Sequence, residues 1–257
     1  MSVMQLFDLT GKTAIVTGGG RGLGHQMSLA LSEMGANIVA CSRRVENCEA
    51  LVQEIEATGG KALALKCDVT KPEDVQSVVK TTLEQFGAID ILVNNSGASW
   101  GAPALEMPLE AWHKVMEVNV TGTFLMTQAV ARHMVERGEG SIINLASVAG
   151  LKGSPAEVMD AIGYQASKGA IISFTRDMAA KLGPKGVRVN AIAPGFFPTK
   201  MSKGVLEVAG KHVLDHSPLK KFGGEEDLKG AIVYLASKAS DFVTGHILVV
   251  DGGSTAI

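Results

Sequence analysis

Short runs of β-branched and other apolar residues alternate with longer segments of helical periodicity along most of the chain. The seven predicted strands are Thr13–Thr17, Asn37–Cys41, Ala62–Lys66, Ile89–Val93, Ser141–Leu145, Val187–Ile192 and His246–Val250. The six predicted helices are Gly22–Met34, Val45–Thr58, Pro72–Phe86, Leu109–Val135, Tyr164–Leu182 and Glu225–Ser237. Strand–helix alternation is typical of a parallel sheet built by right-handed crossovers. The pattern therefore predicts an α/β fold: a single doubly wound domain over residues 1–257, with a seven-stranded parallel sheet and helices on both faces.

Two of the predicted helices, Leu109–Val135 and Tyr164–Leu182, carry apolar residues on more than one side. A helix that is apolar on several sides is buried on several sides. We expect one side to pack on the sheet and the other on another subunit, which predicts a homo-oligomer, specifically a homotetramer. Loops of the same chain are the alternative cover. The segment at about 200–222 mixes apolar residues with lysines and is predicted to be a helical lid over the substrate.

Composition and charge exclude several classes of protein. The net charge is −2, which gives no basic surface suited to nucleic acid or to an anionic membrane. The three cysteines lack Cys-x-x-Cys or Cys/His spacing, so neither a disulfide framework nor a metal site is predicted. No apolar run approaches the roughly 18 residues that span a bilayer, and the start of the chain lacks signal-peptide features. These observations predict a cytoplasmic protein that acts on a small molecule, with no nucleic-acid or membrane partner.

The first predicted strand runs into a glycine-rich loop, Thr-Gly-Gly-Gly-Arg-Gly-Leu-Gly at residues 17–24, and a predicted helix begins there. The first glycine would allow a tight turn, the middle one a close approach to a pyrophosphate, and the last one close helix–strand packing. Free N–H groups and the positive dipole end at the helix start favour phosphate. A glycine cluster alone is often only a turn, but in this position it is typical of a Rossmann dinucleotide site. The predicted contacts in the loop are Gly18, Arg21, Gly22, Leu23 and Gly24.

The end of the second predicted strand indicates which dinucleotide is bound. It reads Ala-Cys-Ser-Arg-Arg at residues 40–44, without the carboxylate that usually holds the 2′-hydroxyl of NAD. A guanidinium pairs with phosphate in bidentate fashion, so Arg43 beside Ser42 favours the 2′-phosphate of NADP, and Arg21 offers a second cation. The alternative is that Arg43 and Arg44 are solvated charges at a helix start. NADP(H) is the predicted cofactor, with NAD(H) left open.

Tyr164 and Lys168 lie four residues apart at the start of a predicted helix, which places both side chains on one face. A free phenol has a pKa near 10, and a nearby ammonium favours the phenolate. Bringing that pKa to about 7 requires roughly 4 kcal/mol, which Lys168 and a cationic nicotinamide would supply together. The pair is predicted to transfer a proton while the cofactor transfers a hydride between a carbonyl and an alcohol.

Several motifs occur together, in one order, along almost the whole chain. They are the glycine loop, Cys67-Asp68-Val69, Asn94-Asn95-Ser96-Gly97, Asn119 in Val-Asn-Val-Thr-Gly, Ser147, Tyr164 with Lys168, and Pro-Gly-Phe-Phe-Pro-Thr at 194–199. In this combination the sequence resembles the single-domain short-chain dehydrogenase/reductase family. The resemblance implies a Rossmann fold and an NAD(P)-dependent oxidoreductase that interconverts a secondary alcohol and a ketone.

The resemblance also implies a role for each motif residue. Ser147 would hold the substrate oxygen, Tyr164 would be the acid or base, and Lys168 would bind the nicotinamide ribose and lower the Tyr164 pKa. Asn119 would hold a water molecule that passes protons to Lys168. The other implied cofactor contacts are Asp68 at the adenine amino group, Val69, Asn94, Asn95 and Gly97, with Pro194, Gly195 and Thr199 around the nicotinamide carboxamide. Taken singly, Asp68 fits a turn cap, Asn119 a helix bend and Ser147 a strand-end turn residue.

The segment that leads into Tyr164 departs from the family pattern. Between Ser147 and Tyr164 the chain is a few residues longer than usual, and Leu151–Gly163 is predicted to form a loop beside the substrate. Substrates of relatives with a shorter loop therefore do not transfer directly to this chain.

The substrate itself is left between several hypotheses. Whole-chain likeness to gluconate 5-dehydrogenase-like members favours a sugar acid or polyol, with Lys152 or Lys200 meeting a carboxylate. Glu157 and Asp160 fit an anionic substrate poorly and favour a polyol or a neutral ketone. The alternative is a 3-oxoacyl-ACP or 3-oxoacyl-CoA reductase, for which the basic lid would meet a phosphopantetheine carrier. A hypothesis of another class is a catalytically silent NADP-binding regulator.

Overall fold

The computed structural model describes all 257 residues and contains one seven-stranded, wholly parallel sheet. Its strands are β1 Thr13–Thr17, β2 Asn37–Ser42, β3 Ala62–Lys66, β4 Ile91–Asn94, β5 Gly140–Leu145, β6 Val187–Pro194 and β7 Ile247–Val250. Their order in the sheet is β3-β2-β1-β4-β5-β6-β7. This sheet, with helices on both faces, confirms the predicted α/β fold.

The helices follow the strands in alternation. They are α1 Val3–Phe7, α2 Gly22–Glu33, α3 Glu46–Ala57, α4 Pro72–Phe86, α5 Leu109–Met116, α6 Gly122–Arg137, α7 Ile162–Leu182, α8 Lys203–Asp215 and α9 Lys229–Ala236. A π-helical turn, Glu117–Thr121, joins α5 to α6 without a break. The predicted helix Leu109–Val135 is therefore present, but it contains this wider turn in its middle.

Two other helices differ from the predictions. The predicted helix Glu225–Ser237 begins only at Lys229, because the Asp227 carboxylate accepts from the Gly224 N–H at 2.8 Å and holds a turn there. Helix α1 was not predicted, since five residues are too few for a periodic pattern. Its signal was a capping box: Ser2 Oγ accepts from the Gln5 N–H, and Gln5 Oε1 accepts from the Ser2 N–H.

Successive strand residues enter two separate cores, one on each face of the sheet. Ala14 and Val16 of β1 belong to the core beneath α2, α3 and α9, whereas Ile15 belongs to the core beneath α4, α6 and α7. All five residues of β1 are buried. Burying one large aliphatic side chain contributes roughly 1.5–3 kcal/mol to the stability of the fold. A strand that is apolar on both faces therefore belongs in the middle of a sheet that helices cover on both sides.

All three cysteines lie in these cores as free thiols. Cys41 and Cys48 are 0% exposed and Cys67 is 1% exposed. They act as small hydrophobic residues.

The sheet grows outward in both directions from β1. Ile15 pairs with Val39 of β2 on one side and with Leu92 of β4 on the other. Chain connections on the two sides of this point cover opposite faces, which leaves a crevice outside the carboxyl ends of β1 and β4. The predicted site residues follow the carboxyl ends of the strands, so they meet at this edge.

Candidate active site

The glycine loop after β1 is held by contacts that exclude side chains. Gly18 and Gly22 have φ of +64° and +54°, in the left-handed region that favours glycine. A Cβ on Gly24 would lie 2.3 Å from the Gly18 carbonyl oxygen, so only glycine allows α2 to start this close to β1. A Cβ on Gly20 would lie 2.5 Å from the backbone of Asn47 in α3. Gly20 was missed in the sequence analysis, although it stands in the same cluster.

Asn95 holds the glycine loop from the β4 side. Its Nδ2 donates to the carbonyl oxygens of Thr17 and Gly18 at 2.9 and 3.2 Å. Thr17 Oγ1 in turn accepts from the backbone N–H groups of Asn95 and Ser96 at 3.0 and 2.9 Å. Asn95 thus shapes the predicted phosphate loop by bracing its backbone.

The neighbouring Asn94 corrects one expectation. It is 3% exposed, and its Nδ2 donates to Thr127 Oγ1 and Asn144 Oδ1, both at 2.9 Å. Its side chain therefore lies in the core between β4, β5 and α6, and the expectation that Asn94 lines the cofactor is wrong. The strand alternates its side chains, so the residue after it points the other way.

Three arginines surround the end of β2 without carboxylate partners. Arg21, Arg43 and Arg44 are exposed, and none of them forms an ion pair. Ser42 Oγ donates to the Arg44 carbonyl oxygen at 2.6 Å and so closes the turn that presents Arg43. Together with the side-chain-free loop at Gly18 and Gly22, these unpaired guanidiniums fit a dinucleotide that carries an additional phosphate.

Asp68 after β3 does cap its own turn. Its Oδ1 accepts from the Thr70 N–H and Oγ1 at 3.1 and 2.8 Å, which leaves Oδ2 for a ligand. The next residue, Val69, is buried, and a Cβ on Gly122 would lie 2.6 Å from its side chain. The Val69 side chain thus packs against the start of α6, so only its backbone is available for the predicted cofactor contact.

Tyr164 and Lys168 lie in the first turns of α7, with Lys168 Nζ 5.6 Å from the centre of the Tyr164 ring. Lys168 is 6% exposed, and its Nζ donates to the Leu145 carbonyl oxygen at 2.5 Å. No carboxylate lies within ion-pair distance of it. Burial therefore lowers the pKa of Lys168 to about 8.

Ser147 brings a hydroxyl to the phenol from the end of β5. Burial raises the pKa of Tyr164, and a hydrogen bond with Ser147 opposes that rise only in part. The expected lowering of the Tyr164 pKa by Lys168 is thus not present in the free protein. A further positive charge in the cleft is needed for it, in line with the part that the sequence analysis gave to the cationic nicotinamide.

Gly150 sets the distance between the Ser147 turn and α7. A Cβ at this position would lie 2.5 Å from the backbone carbon of Lys168 and 2.7 Å from the Gly169 nitrogen. Any side chain would push Ser147 away from Tyr164. Sequence reasoning missed Gly150, whose only signal was a glycine three residues after the predicted serine.

Asn119 lies in the π-helical turn and braces two parts of the site. Its Oδ1 accepts from the Ala98 N–H at 2.7 Å, and its Nδ2 donates to Ala98 O at 2.9 Å and to Ser167 Oγ at 2.8 Å. Ser167 Oγ donates onward to the Tyr164 carbonyl oxygen at 2.7 Å. Both amide hydrogens are thus committed, and for the predicted water molecule the side chain offers only its remaining acceptor position. Gly97 lies beside it, since a Cβ there would be 3.5 Å from Asn119 Oδ1.

The segment after β6 forms the opposite wall of the crevice. A Cβ on Gly22 would lie 3.7 Å from Thr199 Cγ2, so the glycine loop and this segment face each other closely. Thr199 is held by Ser202, whose Oγ accepts from the Thr199 N–H at 2.9 Å. Pro194 ends β6 beside Val250 of β7, and the Gly195 N–H donates to the Val250 carbonyl oxygen at 2.9 Å.

The segments predicted to form the substrate loop and the lid both contact the residues that follow β7, through Lys152 with Ser254 and Leu219 with Gly252. Leu151–Gly163 stays free of helix until α7 begins at Ile162, and α8 lies within the predicted lid at 200–222. Lys152 Nζ donates to the Ser254 carbonyl oxygen at 2.5 Å, while Lys200 is exposed and forms no ion pair. The Asp160 carbonyl oxygen accepts from the Ala102 N–H at 2.9 Å and ties the loop to the segment after β4.

No group of three or more His, Cys, Asp or Glu side chains is arranged to hold a metal ion. Among the helices, none combines the length and apolar character that a bilayer crossing requires.

A parallel sheet with a glycine loop at its switch point and a Tyr–Lys–Ser group at its carboxyl edge defines a class of enzyme. Residues 18–255 match the sequence profile of a family described as enoyl-(acyl carrier protein) reductase. The chain belongs to the short-chain dehydrogenase/reductase family, whose members are NAD(P)-dependent oxidoreductases acting on CH–OH and C=O groups. The resemblance found in the sequence is thereby confirmed.

Individual relatives cover nearly the whole chain. A 3-oxoacyl-[acyl-carrier-protein] reductase of Synechocystis sp. is 39% identical over 95% of this chain and 97% of its own. The 5-keto-D-gluconate 5-reductase of Escherichia coli K12 is 39% identical over 97% of both chains. A crystal structure of a gluconate 5-dehydrogenase from Burkholderia cenocepacia, in complex with NADP and tartrate, has a TM-score of 0.94 at 37% identity over 100% of both chains. The family is therefore clear, while the names of the relatives divide between two substrate classes.

Proposed function

We propose that this protein interconverts a ketone and a secondary alcohol with NADP(H), and that Tyr164 is the residue that gives or takes the proton. The observation that carries the proposal is the group of Tyr164, Lys168 and Ser147 at the carboxyl edge of the sheet, in which Lys168 and Ser147 are buried and Tyr164 is half-buried. Lys168 has no carboxylate partner, so its charge is directed at Tyr164 and at the crevice rather than at a salt bridge.

The bound cofactor would supply the hydride, and this chain's own residues would handle the proton and the orientation. Ser147 would hold the substrate oxygen beside the Tyr164 hydroxyl. In the reducing direction Tyr164 would donate its proton to that oxygen, and the Lys168 ammonium would stabilise the resulting phenolate. Asn119 would support the return of the proton toward Lys168, and it fixes the Tyr164 turn through Ser167.

Cofactor binding would follow the shape of the crevice. The backbone of Gly18, Gly22 and Gly24 would accommodate the pyrophosphate, with Leu23, Asn95 and Gly97 along the same wall. The unpaired Arg21 and Arg43 support a 2′-phosphate and so favour NADP(H) over NAD(H). The remaining proposed contacts are Ser42, Asp68, Val69, Pro194, Gly195 and Thr199.

For the substrate we propose a sugar acid or polyol. Two named relatives support this class, the Escherichia coli 5-keto-D-gluconate 5-reductase and the Burkholderia cenocepacia gluconate 5-dehydrogenase whose structure holds tartrate. Lys152 and Lys200 stand near the mouth as cations for a carboxylate. Glu157 and Asp160 form no ion pair, and their charge keeps a neutral polyol within the proposal.

A 3-oxoacyl thioester is the second candidate substrate, and one observation favours it. Large apolar side chains stand exposed on two segments, the one from β4 into α5 and the proposed lid: Trp100 (44%), Leu105 (101%), Leu109 (67%), Met201 (51%) and Val208 (83%). An apolar rim suits an acyl chain better than a hydroxylated one. The Synechocystis relative carries the name of such a reductase.

One substrate panel tests these alternatives together. The purified protein is assayed with gluconate, 5-ketogluconate, polyols, acetoacetyl-CoA and simple ketones, each with both cofactors. The proposal expects turnover of 5-ketogluconate or a polyol with a preference for NADPH over NADH. Turnover of acetoacetyl-CoA alone selects the second candidate. NADPH binding without turnover of any carbonyl would contradict both and favour a silent regulator.

We further propose that residues 1–257 act as one domain, with 200–222 as its lid, and that two copies associate through α6 and α7. A cavity of about 350 Å³ lies between these helices, lined among others by Phe124, Phe174 and Met178. Phe124 is 43% exposed in this groove although it is a large apolar side chain. A second copy would cover this apolar groove, which supports the homo-oligomer and, within it, the homotetramer.

The cellular location is a separate proposal. The cysteines are free and buried, which supports a reducing compartment, so we propose that the protein is cytoplasmic.

A further inference from the structure

A compact turn after β7, residues 251–255, is closed by one carboxylate and contacts three parts of the proposed site. Asp251 Oδ1 accepts from the Gly253 N–H at 2.9 Å, and its Oδ2 accepts from the Thr255 N–H at 2.8 Å and from Ser254 Oγ at 3.0 Å. Burial opposes the charge on this carboxylate, but the hydrogen bonds outweigh it, so the pKa of Asp251 lies below its usual value. We call residues 251–255 the Asp251 turn.

The first contact of the Asp251 turn is with the end of the lid. The Gly252 carbonyl oxygen accepts from the Leu219 N–H at 3.1 Å and from Ser217 Oγ at 3.3 Å. Gly252 and Gly253 have φ of +64° and +87°, and a Cβ on either would lie 2.8 or 2.9 Å from Ser217 Oγ or Pro218 Cγ. The lid end is therefore seated on a surface that only glycine backbone provides.

The second contact is with the substrate loop, Leu151–Gly163. The third is with Gly195 in the segment after β6, which we call the nicotinamide wall because the nicotinamide is proposed to lie against it. The Ser254 carbonyl oxygen accepts from Lys152 Nζ at 2.5 Å. A Cβ on Gly195 would lie 2.8 Å from both Cα and Cβ of Asp251, so the carboxylate residue packs directly on the segment after β6. The bond from Lys152 to Ser254 is the only hydrogen bond between the substrate loop and the Asp251 turn. No hydrogen bond joins the substrate loop directly to the lid, so the Asp251 turn is what connects them.

We propose that Asp251 is a positioning residue that sets substrate specificity by holding the lid, the substrate loop and the nicotinamide wall in one arrangement through the Asp251 turn. Lys152 is aimed by this turn: one of its three N–H donors is fixed on Ser254, and the other two stay available for a substrate oxygen. The placement of these elements around the substrate rests on the proposed function. Asp251 itself touches neither the proton-transfer group nor the glycine loop.

Hydrogen exchange and kinetics of Asp251→Asn and Asp251→Ala test this role. Loss of the carboxylate frees Gly253, Ser254 and Thr255, so amide exchange is expected to rise about tenfold in 151–161 and 217–222, and to stay unchanged in β1 to β3. The KM for the best carbonyl found by the substrate panel is expected to rise about tenfold, with kcat and the NADPH Kd changed less than about threefold. Asp251→Asn keeps the size of the side chain and serves where the alanine variant does not fold.

Two further variants separate this role from general destabilisation. Asp241→Asn removes an exposed carboxylate that only approaches Arg188, and it should match the wild type in every measurement. Lys152→Met breaks the contact with Ser254 and leaves the hydrogen bonds of Asp251 intact, so it should loosen 151–161 and leave 217–222 protected. In the Lys152→Met background, Asp251→Asn should raise KM less than it does alone, because part of its effect passes through Lys152.

The outcomes for the turn and for the function are distinct. Wild-type exchange in both 151–161 and 217–222 for the Asp251 variants, or an unchanged KM, would overturn the role of Asp251 while carbonyl reduction stands. Absence of turnover with every carbonyl would overturn the proposed function, and the exchange measurements would still decide whether Asp251 ties the three segments together.

Discussion

Lys168 shows how burial and chemistry oppose each other within one side chain. Its ammonium is 6% exposed and has a single protein acceptor, the Leu145 carbonyl oxygen. Burial lowers its pKa to about 8, which means that the charged form costs folding free energy at neutral pH. Such a cost is common where a charge serves a site rather than the stability of the fold.

Replacing this lysine should therefore stabilise the protein. Lys168→Met is expected to raise the free energy of unfolding by on the order of 3 kcal/mol at pH 7, while removing turnover. Between pH 8 and 10.5 the unfolded wild type holds more protons than the folded one, so its stability rises with pH and the advantage of the variant shrinks. Urea unfolding at pH 7 and pH 9.5 measures both effects. Lys80→Met, at an exposed position on α4, is the control, and a variant less stable than the wild type would contradict the argument.

The phenol gives a second prediction at the same scale. Tyr164→Phe should lower kcat by about 10²- to 10⁴-fold, because it removes the proposed proton donor and leaves the ring in place. The NADPH Kd, measured by fluorescence titration, should change less than about twofold, since phenylalanine alters no phosphate contact. Tyr234→Phe in α9 changes the only other tyrosine and should be active. Equal turnover in both variants would mean that another group carries the proton.

We predict that cofactor choice depends on the Arg43 guanidinium more than on the rest of the loop. Arg43→Ala should weaken NADPH binding about 10- to 100-fold and NADH binding far less, because a charge-assisted pair with phosphate is lost. Binding of both cofactors to this variant and to Arg176→Ala, an exposed arginine on α7, measures the difference. Equal losses for NADPH and NADH would place the 2′-phosphate elsewhere.

At the scale of elements, the π-helical turn between α5 and α6 connects the walls of the site. Because the helix is wider there by one residue, the Asn119 side chain can form hydrogen bonds with both Ala98 and Ser167. Single π-helical turns within longer helices occur often at functional sites. The helical periodicity over Leu109–Val135 does not reveal this local widening, because one extra residue hardly disturbs the pattern. The single sign of it was that Asn119, taken alone, fits a helix bend.

The hydrogen bonds of Asn119 predict a graded loss. Asn119→Ala leaves the half-buried N–H and C=O of Ala98 without their side-chain partner and should cost about 2–4 kcal/mol of stability together with most of kcat. Ser167→Ala removes only the link to α7 and should cost about 1 kcal/mol, with a smaller loss of kcat. Thermal unfolding and steady-state kinetics compare the two. Equal effects would mean that the bonds to Ala98 contribute nothing separate.

At the scale of the whole molecule, the groove between α6 and α7 predicts association. Phe124→Asp places a charge in the proposed contact and should shift the protein to smaller species in analytical ultracentrifugation. Leu105→Asp changes a fully exposed leucine at the mouth of the crevice and should leave the oligomeric state unaltered. A wild type that is monomeric at micromolar concentration would rule out the interface.

Much of the architecture was predictable because its causes are local. All seven strands and most helix bounds follow from periodicity, and the glycine loop and the Tyr164–Lys168 pair follow from residue type and spacing. What failed depends on neighbours distant in the chain. Asn94 and Asn95 are adjacent and chemically identical, and only the packing of α6 tells which is buried. The contact between Lys152 and Ser254 joins residues 102 positions apart, beyond the reach of any local pattern.

The burial of every cysteine has a practical consequence that is unrelated to the proposed reaction. With Cys41, Cys48 and Cys67 at most 1% exposed, the folded protein presents no thiol to a maleimide dye. A single cysteine introduced at Val208, which is 83% exposed on α8, would therefore be labelled alone. The natural chain is thus already a background for fluorescence measurements that test whether the proposed lid moves during turnover.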